Sequence, residues 1–322
     1  MTLVSIITPS YNQAAFLEQT IQSVLSQDYP SIEYILVDGG SKDGSLEIIE
    51  KYRQHFAWWV SEPDSGQAQA INKGFSHATG EIIAWLNSDD LYLAGTISQA
   101  VAALTANPEL GFVFGDALTI DAAGNPLSQL QFKDYQLLDL IGFRIICQPA
   151  VFIRRTVLEG AGYLDDCYHF LLDHQLWIRL ACQAPFRHVP NTWAAARHHA
   201  TAKNVAQAAG FGQEAFRILD WMRADPELAP LVQAHRRRIQ AGAHRLNARY
   251  LLDGGSPAPA LRAYARALWL SPGFALQHWH RMLYAALSLL GGKGLAEWYY
   301  RIKRKPPSTS ASGASLPDTR RK

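Results

Sequence analysis

The sequence predicts an α/β protein in which a mostly parallel β-sheet, flanked by helices, is followed by a helical C-terminal extension. Three observations predict this fold class. Short apolar runs alternate with amphipathic segments up to about residue 115, which is typical of a sheet built from strand–helix units. After Asp116 the alternation stops, and two short strand-like pieces flank a turn at 121–126. From about Asn204 onward, nearly every segment is helical in character.

Each element of the N-terminal half is predicted from its own pattern. Strands are short apolar runs, and helices carry apolar residues at helical spacing. In order, we predict a strand at 4–8, a helix at 14–26, a strand at 32–37, a helix ending near 53, a strand at 57–60, a helix at 67–77, a strand at 82–86, a helix at 96–106 and a strand at 111–114. Beyond the turn we predict a strand at 149–154 and a helix at 173–182.

Length and composition limit the class of protein. The 322 residues and 48% hydrophobic content suffice for one large domain and a smaller one. The three cysteines lack metal-ligand spacing, and an odd number argues against a disulfide framework. The N-terminus shows no signal peptide, and no apolar run reaches the roughly 18 to 20 residues of a spanning helix. We therefore expect a cytoplasmic protein.

The net charge of +2 conceals an asymmetry along the chain. Residues 1–234 contain 14 Lys and Arg against 25 Asp and Glu, a net charge of −11. Residues 235–322 contain 16 against 3, a net charge of +13, and the two sums give +2. A basic C-terminal region on an acidic body indicates an anionic partner.

Two adjacent carboxylates, Asp89 and Asp90, follow the predicted strand at 82–86. Ligands of open α/β sheets bind at the carboxyl ends of the strands. Oxygen ligands of this kind suit Mg²⁺ or Mn²⁺, which take one or two carboxylates together with substrate phosphates. The alternative is that both residues cap the next helix.

Polar loops follow four predicted strands, at 8–12, 37–45, 62–74 and 87–90. Their ordered motifs include Pro-Ser-Tyr-Asn, Asp-Gly-Gly-Ser, Asn-Lys-Gly and Asn-Ser-Asp-Asp. This ordered set resembles the family 2 glycosyltransferases of the GT-A fold over roughly residues 3–200. The resemblance implies an inverting enzyme that uses a nucleotide-activated sugar.

The resemblance also assigns the nucleotide contacts. It implies that Thr8, Pro9 and Tyr11 line the base and ribose pocket. Asp38 is expected to accept a hydrogen bond from the base, and a carboxylate acceptor suits the N3–H of uracil. The alternative is that Asp38 only shapes its glycine-rich turn, the role that we favour for Asp43.

The remaining donor contacts come from the later loops. Asp64 and Lys73 lie where the family places residues beside the nucleotide and diphosphate, although Lys73 is equally consistent with a solvated helix charge. Ser88 and Asp89 are expected to contact the donor as well. Gln148, which precedes the strand at 149–154, is expected to face the sugar or acceptor.

The metal motif departs from the family pattern. Asn87 stands where the family's Asp-x-Asp motif has its first acid, so the resemblance leaves metal binding to Asp89, with Asp90 and His199 as further candidate ligands. Arg197 and Lys203, in the same segment as His199, are candidate phosphate partners.

One acid matches the catalytic carboxylate of the family. Asp173 precedes Leu176-Trp177-Ile178-Arg179, which resembles the family's acidic segment and its Leu-Trp-x-Arg helix. The resemblance implies that Asp173 takes the proton from the acceptor hydroxyl. The alternative is a helix N-cap.

We thus expect transfer of a single sugar, with a UDP-sugar favoured, to a hydroxyl of a glycan or lipid-linked acceptor in cell-surface polysaccharide biosynthesis. The Gln-x-x-Arg-Trp motif of processive synthases is absent. Two alternatives remain open. A nucleotidyltransferase shares a similar sheet, and a degenerate, non-catalytic glycan-binding or scaffold protein fits Asn87 and the single base candidate.

The sequence divides into a catalytic domain at 1–203, a helical region at 204–305 and a tail at 306–322 that we expect to be disordered. Spacing at 248–272 is similar to one tetratricopeptide-like hairpin. Aromatic residues beside a basic cluster at 298–305 favour an anionic membrane surface over nucleic acid. We therefore predict peripheral association with the inner face of the cell membrane and no nucleic-acid partner.

Overall fold

The computed structural model describes residues 1–199, 207–289 and 294. The described residues form two compact units. The first comprises 1–135 and 146–197, and the second comprises 136–145 and the residues that follow Arg197. The second unit therefore includes a segment from the middle of the predicted catalytic domain. The predicted boundary at 203 lies outside the described residues.

The first unit is built around a β-sheet. Its strands are β1 (Val4–Ser10), β2 (Ile32–Asp38), β3 (Trp58–Ser61), β4 (Ile82–Trp85), β5 (Leu91–Tyr92), β6 (Phe112–Ile120), β7 (Pro126–Leu130), β8 (Val151–Arg154) and β9 (Phe186–Arg197). Its helices are α1 (Ala14–Leu25), α2 (Ser45–Tyr52), α3 (Gln67–His77), α4 (Thr96–Ala106), α6 (Arg155–Ala161) and α7 (Leu172–Gln183). The helix α5 (Leu137–Ile141) belongs to the second unit.

Within the described residues all nine strands join one sheet, in the order β3-β2-β1-β4-β8-β6-β9-β5, with β7 on β6. The pairs among β1 to β4 are parallel, as predicted. Beyond β4 the sheet is mixed, because β8 runs antiparallel to both β4 and β6 while β9 runs parallel to β6. The strand–helix alternation of the sequence ends after Asp116, and the change from parallel to mixed strand pairing corresponds to that point. The carboxyl ends of β1, β2 and β4 therefore lie side by side, which positions the predicted site.

The alternation of side chains along β1 explains why both faces of the sheet are buried. Ile6 belongs to a core cluster with Leu17 and Ile21 of α1. The next residue, Ile7, points to the opposite face and packs on Gly74 of α3. Both isoleucines are fully buried, as expected for a central strand covered on both sides.

The face covered by α3 and α7 is aromatic. Trp177 of α7 stacks on Trp85 of β4 with ring centroids 5.1 Å apart, and on Phe112 of β6 at 6.0 Å. Phe75 of α3 meets Trp85 edge to face at 5.7 Å. All four side chains are buried. These contacts fix α7, which carries Asp173, to the strand that leads to Asp89.

The second unit is helical in its described part. After α5 it contains α8 (Ala208–Ala224), α9 (Ala229–Ala234), α10 (Arg236–Asp253), α11 (Pro257–Leu270), α12 (Pro272–Ala275) and α13 (Trp279–Leu289). The predicted tetratricopeptide-like hairpin corresponds to the end of α10 and to α11, which share a core containing Ala248, Tyr264 and Ala285. None of the helices in the described ranges is long and apolar enough to cross a bilayer.

The fold class is confirmed, and the missed elements are short or irregular. Helices α3 and α4 have their predicted bounds. Sequence reasoning missed β5 and α6, with two and seven residues, and also α5. It also missed β9, in which Pro190 and a register shift against β6 interrupt a regular apolar alternation. Arg154 and Arg155, at the end of β8 and the start of α6, donate to backbone carbonyls of Leu104, Leu110 and Gly80.

We expect Gly74→Ala to destabilise the protein. A Cβ at this position of α3 would lie 2.4 Å from Cγ2 of Ile7, so the helix must move off β1. Overpacking of this kind costs about 1–3 kcal/mol. The measurement is the free energy of unfolding in urea. Gly273→Ala is the control, because its Cβ would meet no atom within 4 Å; equal stability of the two variants would contradict the proposed contact.

Candidate active site

The loop after β2 is organised by the carboxylate of Asp38. Its Oδ2 accepts bonds from the amides of Gly40 (3.1 Å) and Ser41 (2.8 Å) and from the Ser61 hydroxyl (2.7 Å), while Oδ1 accepts from the Ser41 hydroxyl (2.5 Å). The residue is fully buried. These four bonds support the alternative role, in which Asp38 shapes the turn.

Asp43 ties the same loop to the start of α1. Its Oδ2 accepts from the amide of Ala14 at 2.9 Å, and its Oδ1 accepts from the hydroxyl and amide of Ser45. Burial alone would raise the pKa of Asp43, but these bonds outweigh it and lower the pKa. Asp43 therefore shapes the turn, as favoured from the sequence.

The side chains of Tyr11 and Asp64 converge on Gly39. A Cβ on Gly39 would lie 2.7 Å from Oδ2 of Asp64 and 3.2 Å from Cδ2 of Tyr11. Tyr11 is 61% exposed, and Asp64 is half-buried, with Oδ1 accepting from the amide of Gly66 at 2.9 Å. A glycine between an exposed aromatic ring and a carboxylate lets a planar ligand approach the backbone closely.

The structure corrects the predicted role of Thr8. This side chain is fully buried, and its hydroxyl is 3.1 Å from the Tyr34 hydroxyl inside the core. It therefore does not line a base pocket. Pro9 is buried in β1 opposite Val37, one residue before the strand ends.

Asn87, the residue that replaces the first acid of the metal motif, is held on three sides. Its Oδ1 accepts from Gln67 (2.8 Å), and its Nδ2 donates to Gln148 (3.1 Å) and to Oδ2 of Asp90 (3.2 Å). Gln148 also donates to the carbonyl of Trp85 at 2.8 Å. The predicted sugar contact Gln148 thus lies beside the metal motif. Ser88, which follows Asn87, is 5% exposed.

Asp90 faces the interior rather than the ligand edge. Its Oδ1 accepts from the amide of Arg197 at 2.9 Å, and the residue is 6% exposed. Burial and the neighbouring charge of Asp89 raise the pKa of Asp90 well above its usual range. Asp89 itself is half-buried. The N-cap of α4 is Gly95, so neither acid caps the next helix.

Arg197, predicted as a phosphate partner, is instead buried and donates hydrogen bonds to other groups of the protein. It is 3% exposed, and its guanidinium donates to the carbonyls of Asp89 (2.8 Å) and Ala122 (3.0 Å) and to the side chain of Gln19 (2.8 Å). It also lies over the ring of Phe16 at 4.9 Å. Arg197 therefore positions the loop at 87–90, and the prediction of a phosphate contact is wrong.

Asp173 lies in the first turn of α7 and is half-buried. The N-cap of that helix is Leu171, so the N-cap alternative for Asp173 is wrong. Arg179, from the Leu-Trp-x-Arg segment, donates to the carbonyls of Ala161, Gly162 and Tyr163 at the end of α6. This segment therefore anchors the helix that presents Asp173.

Two polar side chains of helix α3 bind groups in neighbouring loops. Lys73 forms an ion pair with Glu62. Asn72 pairs with the backbone of Leu164, donating to its carbonyl at 2.8 Å and accepting from its amide at 2.9 Å. Asn72 thereby holds the loop that leads to α7. Sequence reasoning did not find this role, because the partner lies 92 residues away.

His199, the third candidate metal ligand, is half-buried and belongs to the second unit. Lys203 lies outside the described residues. In the described part of the chain, one group of three acidic or thiol side chains lies close enough to hold an ion, and it consists of the exposed Asp165, Asp166 and Cys167. Among the described residues, this group does not include Asp89. Such a sparse donor set fits Mg²⁺ or Mn²⁺, which keep waters and take substrate phosphate oxygens.

Comparison with known proteins identifies the family of this chain. The family model "Glycosyl transferase family 2" matches residues 5–161. The uncharacterized glycosyltransferase Rv1514c of Mycobacterium tuberculosis is 30% identical over 184 residues, which cover 55% of this chain and 68% of that protein. The chain belongs to glycosyltransferase family 2. TuaG of Bacillus subtilis, a putative teichuronic acid biosynthesis glycosyltransferase, is 44% identical over 93 residues, covering 27% of this chain and 36% of TuaG.

Solved glycosyltransferase structures share the fold. TarS 1-349 of S. aureus has a TM-score of 0.60 at 18% identity, covering 93% of this chain and 91% of TarS 1-349. The mannosyltransferase PcManGT of Pyrobaculum calidifontis, solved with GDP-Man and Mn²⁺, has a TM-score of 0.59 at 23% identity, covering 91% of this chain and 88% of PcManGT. These likenesses establish the GT-A fold of the family 2 chain.

We expect Arg197→Lys to destabilise the loop at 87–90, although we assign no ligand contact to Arg197 itself. A lysine cannot reproduce the forked contacts to Asp89, Ala122 and Gln19. Stability should fall by about 1–3 kcal/mol, and affinity for a nucleotide with Mn²⁺ should fall with it. Thermal unfolding and calorimetric titration measure the two effects. The control is Arg187→Lys on the same strand, at an exposed site bonded to Asn107; an equal loss there would contradict the positioning role.

Proposed function

We propose that this chain is an inverting, metal-assisted glycosyltransferase that moves a single sugar from a nucleotide-diphosphate sugar, with UDP-sugars favoured, to a hydroxyl of a glycan or lipid-linked acceptor. One observation carries the proposal. Asp89 follows β4, Asp173 begins α7, and the stacked Trp85 and Trp177 fix that strand and helix to each other. A metal-binding acid and a proton acceptor are thus held in one rigid frame.

The donor side of the proposal rests on Tyr11, Gly39 and Asp64. Asp38 already accepts four hydrogen bonds from its own loop and from Ser61. We therefore assign to Asp64 the carboxylate oxygen that accepts a hydrogen bond from the base. The side chains of Asp64 and Tyr11 converge on Gly39. A carboxylate oxygen accepts the N3–H of uracil, and the exposed ring of Tyr11 supplies a stacking surface. Asp38 organises the loop that keeps these groups in place.

The divalent metal is assigned to Asp89 and the donor diphosphate, where it supplies neutralising charge for the leaving nucleoside diphosphate. Asp90 takes no ligand and instead fixes the loop through Asn87 and Arg197. Gln148, bonded to Asn87, lies where it can contact the sugar.

The acceptor side rests on Asp173. Its carboxylate accepts the proton of the acceptor hydroxyl as that oxygen attacks the anomeric carbon. The bond from the anomeric carbon to the diphosphate oxygen breaks, and its electron pair leaves with the nucleoside diphosphate. Attack opposite the leaving group inverts the configuration.

Similar proteins support the substrate class. TarS 1-349 has been solved with UDP-GlcNAc, and PcManGT with GDP-Man and Mn²⁺. TuaG is named for teichuronic acid biosynthesis. On this basis we assign the chain to cell-surface polysaccharide biosynthesis.

We expect Asp173→Asn to abolish sugar transfer while leaving nucleotide affinity nearly intact. The amide cannot accept the proton, and loss of a general base lowers the rate by about 10²–10⁴-fold. The measurement is turnover of a UDP-sugar with an acceptor glycan, beside UDP titration of the same variant. Asp165→Asn, in the loop before α7, is the control and should turn over normally. Normal turnover by Asp173→Asn would exclude the base role.

The donor class is tested by calorimetric titration with UDP, GDP and TDP, each with and without Mn²⁺. We expect UDP to bind with a metal dependence that Asp89→Ala removes. Asp64→Ala should weaken UDP binding by about tenfold, as expected for a lost hydrogen bond in the base site. Asp38→Asn should lower thermal stability instead, because its bonds hold the loop.

Two outcomes of this titration would change the proposal. If Asp38→Asn alone loses UDP affinity at unchanged stability, Asp38 reads the base. If none of the three diphosphates binds, the alternative of a non-catalytic scaffold replaces the transferase.

We also propose peripheral association with an anionic membrane. The region 235–322 has a net charge of +13 from 16 basic and 3 acidic residues. Leu276, in the turn before α13, and Trp279 and Leu283 of α13 are exposed at helical spacing. The protein should co-sediment with vesicles containing anionic lipid, but not with neutral ones, and deletion of 291–322 should abolish pelleting. If the shortened protein still pellets, residues 291–322 are not the anchor.

A further inference from the structure

Three side-chain carboxamides form a hydrogen-bonded row across the end of β4, here called the amide chain: Gln67, Asn87 and Gln148. Gln67 is the first residue of α3, Asn87 follows β4, and Gln148 begins the turn before β8. Nε2 of Gln67 donates to Oδ1 of Asn87 at 2.8 Å, and Nδ2 of Asn87 donates to Oε1 of Gln148 at 3.1 Å. Nε2 of Gln148 donates to the carbonyl of Trp85 at 2.8 Å. Each amide therefore donates to the next acceptor in one direction.

The direction of the amide chain is fixed at Trp85. A backbone carbonyl only accepts hydrogen bonds, so Gln148 must turn its nitrogen to Trp85 and its oxygen to Asn87. Asn87 must then turn its nitrogen to Gln148, and Oδ2 of Asp90, 3.2 Å from that nitrogen, accepts its second hydrogen. The oxygen of Asn87 is left for the nitrogen of Gln67. Reversal of any one amide would place two oxygens or two N–H groups face to face.

Gln148 keeps hydrogen-bonding capacity for a ligand. A primary amide has two N–H donors and an oxygen with two lone pairs. The contacts with Trp85 and Asn87 use one donor and one lone pair of Gln148, and its side chain forms no other hydrogen bond to a described residue. The residue is half-buried. The amide chain therefore fixes the orientation of the Gln148 side chain and leaves one N–H and one lone pair for a ligand.

The amide at position 87 is necessary for this orientation. An acid there would only accept hydrogen bonds, so its oxygen would face Oε1 of Gln148 and the carboxylate of Asp90. Gln148 would then have to reverse, which would turn its oxygen against the carbonyl of Trp85. The departure of Asn87 from the Asp-x-Asp motif therefore has a physical consequence at Gln148.

We propose that Gln67 and Asn87 are positioning residues that orient Gln148 toward a hydroxyl group of the donor sugar. This inference rests on the proposed transferase function, in which Gln148 contacts the sugar. A sugar hydroxyl donates and accepts hydrogen bonds, so it matches the remaining lone pair and N–H of Gln148. Because hydrogen-bonded groups in a row polarise one another, a change at Gln67 reaches Gln148 through Asn87.

The orientation is tested first in the free protein, by the side-chain NH₂ signals of Asn87 and Gln148 in proton–nitrogen correlation spectra. The Gln148 signal is identified by its loss in Gln148→Ala. Gln67→Glu places an oxygen against Oδ1 of Asn87 and should shift both signals. Gln69→Glu is the matched control, because it adds the same charge to α3 while its oxygen still accepts from the Ser65 amide. It should leave both signals in place.

The effect on the sugar is measured by calorimetric titration with UDP, UDP-glucose, UDP-galactose and UDP-GlcNAc, each with Mn²⁺. We expect Gln67→Glu and Asn87→Asp to weaken the tightest UDP-sugar about three- to tenfold relative to UDP, because one hydrogen bond to the sugar is lost. Gln69→Glu should keep the ratio of the wild-type chain. Gln67→Glu leaves the sequence at 87–90 unchanged, so it keeps the test valid even if Asn87→Asp does not fold.

Two results would overturn the positioning role. The first is a shift of the Gln148 signal that Gln69→Glu produces as strongly as Gln67→Glu. The second is a loss of affinity that UDP and the UDP-sugars share equally, because the amide chain would then hold the loop without orienting a sugar contact. Absence of UDP binding by the wild-type chain would instead overturn the transferase proposal, and with it the sugar ligand of Gln148, whereas the shift of the Gln148 signal by Gln67→Glu would remain.

Discussion

The guanidinium of Arg197 donates to the backbone of Asp89 and Ala122 and to the side chain of Gln19, while the Arg197 amide holds Asp90. These bonds connect the end of β9 to the loop after β4. They keep Asp90 buried inside the protein, while its neighbour Asp89 is half-buried. Breaking a buried charge network by removing one partner costs about 3–5 kcal/mol, so this loop tolerates little variation.

A second set of contacts holds α7, which carries Asp173, against β4. The stacked Trp85 and Trp177 connect β4 to α7, and Asn72 clamps the backbone of Leu164 ahead of that helix. Arg179 fastens α7 to the end of α6. The resemblance to Leu-Trp-x-Arg therefore has a physical basis, because the tryptophan and the arginine hold the helix whose first turn contains Asp173.

The strands and helices up to Phe114 could be predicted from sequence, because their patterns are local. The same holds for the motifs after β1, β2 and β4, which parallel pairing brings to one edge of the sheet. The partner of a polar side chain is not local. Thr8 turned inward to Tyr34, Arg197 to the carbonyls of another loop, and Asn72 to a backbone 92 residues away. Charge and motif alone did not distinguish a residue that holds a loop from one that holds a ligand.

The close approach at Gly39 has a consequence for how this pocket varies. The space that a side chain at position 39 would fill is already occupied by the carboxylate of Asp64, 2.7 Å from where the Cβ would lie. The backbone of β2 and the loop after β3 thus leave room for a single acid between them. A side chain introduced at position 39 has to displace the carboxylate of Asp64 from this space. The glycine at position 39 is therefore what allows the loop after β3 to bring a negative charge against the end of β2.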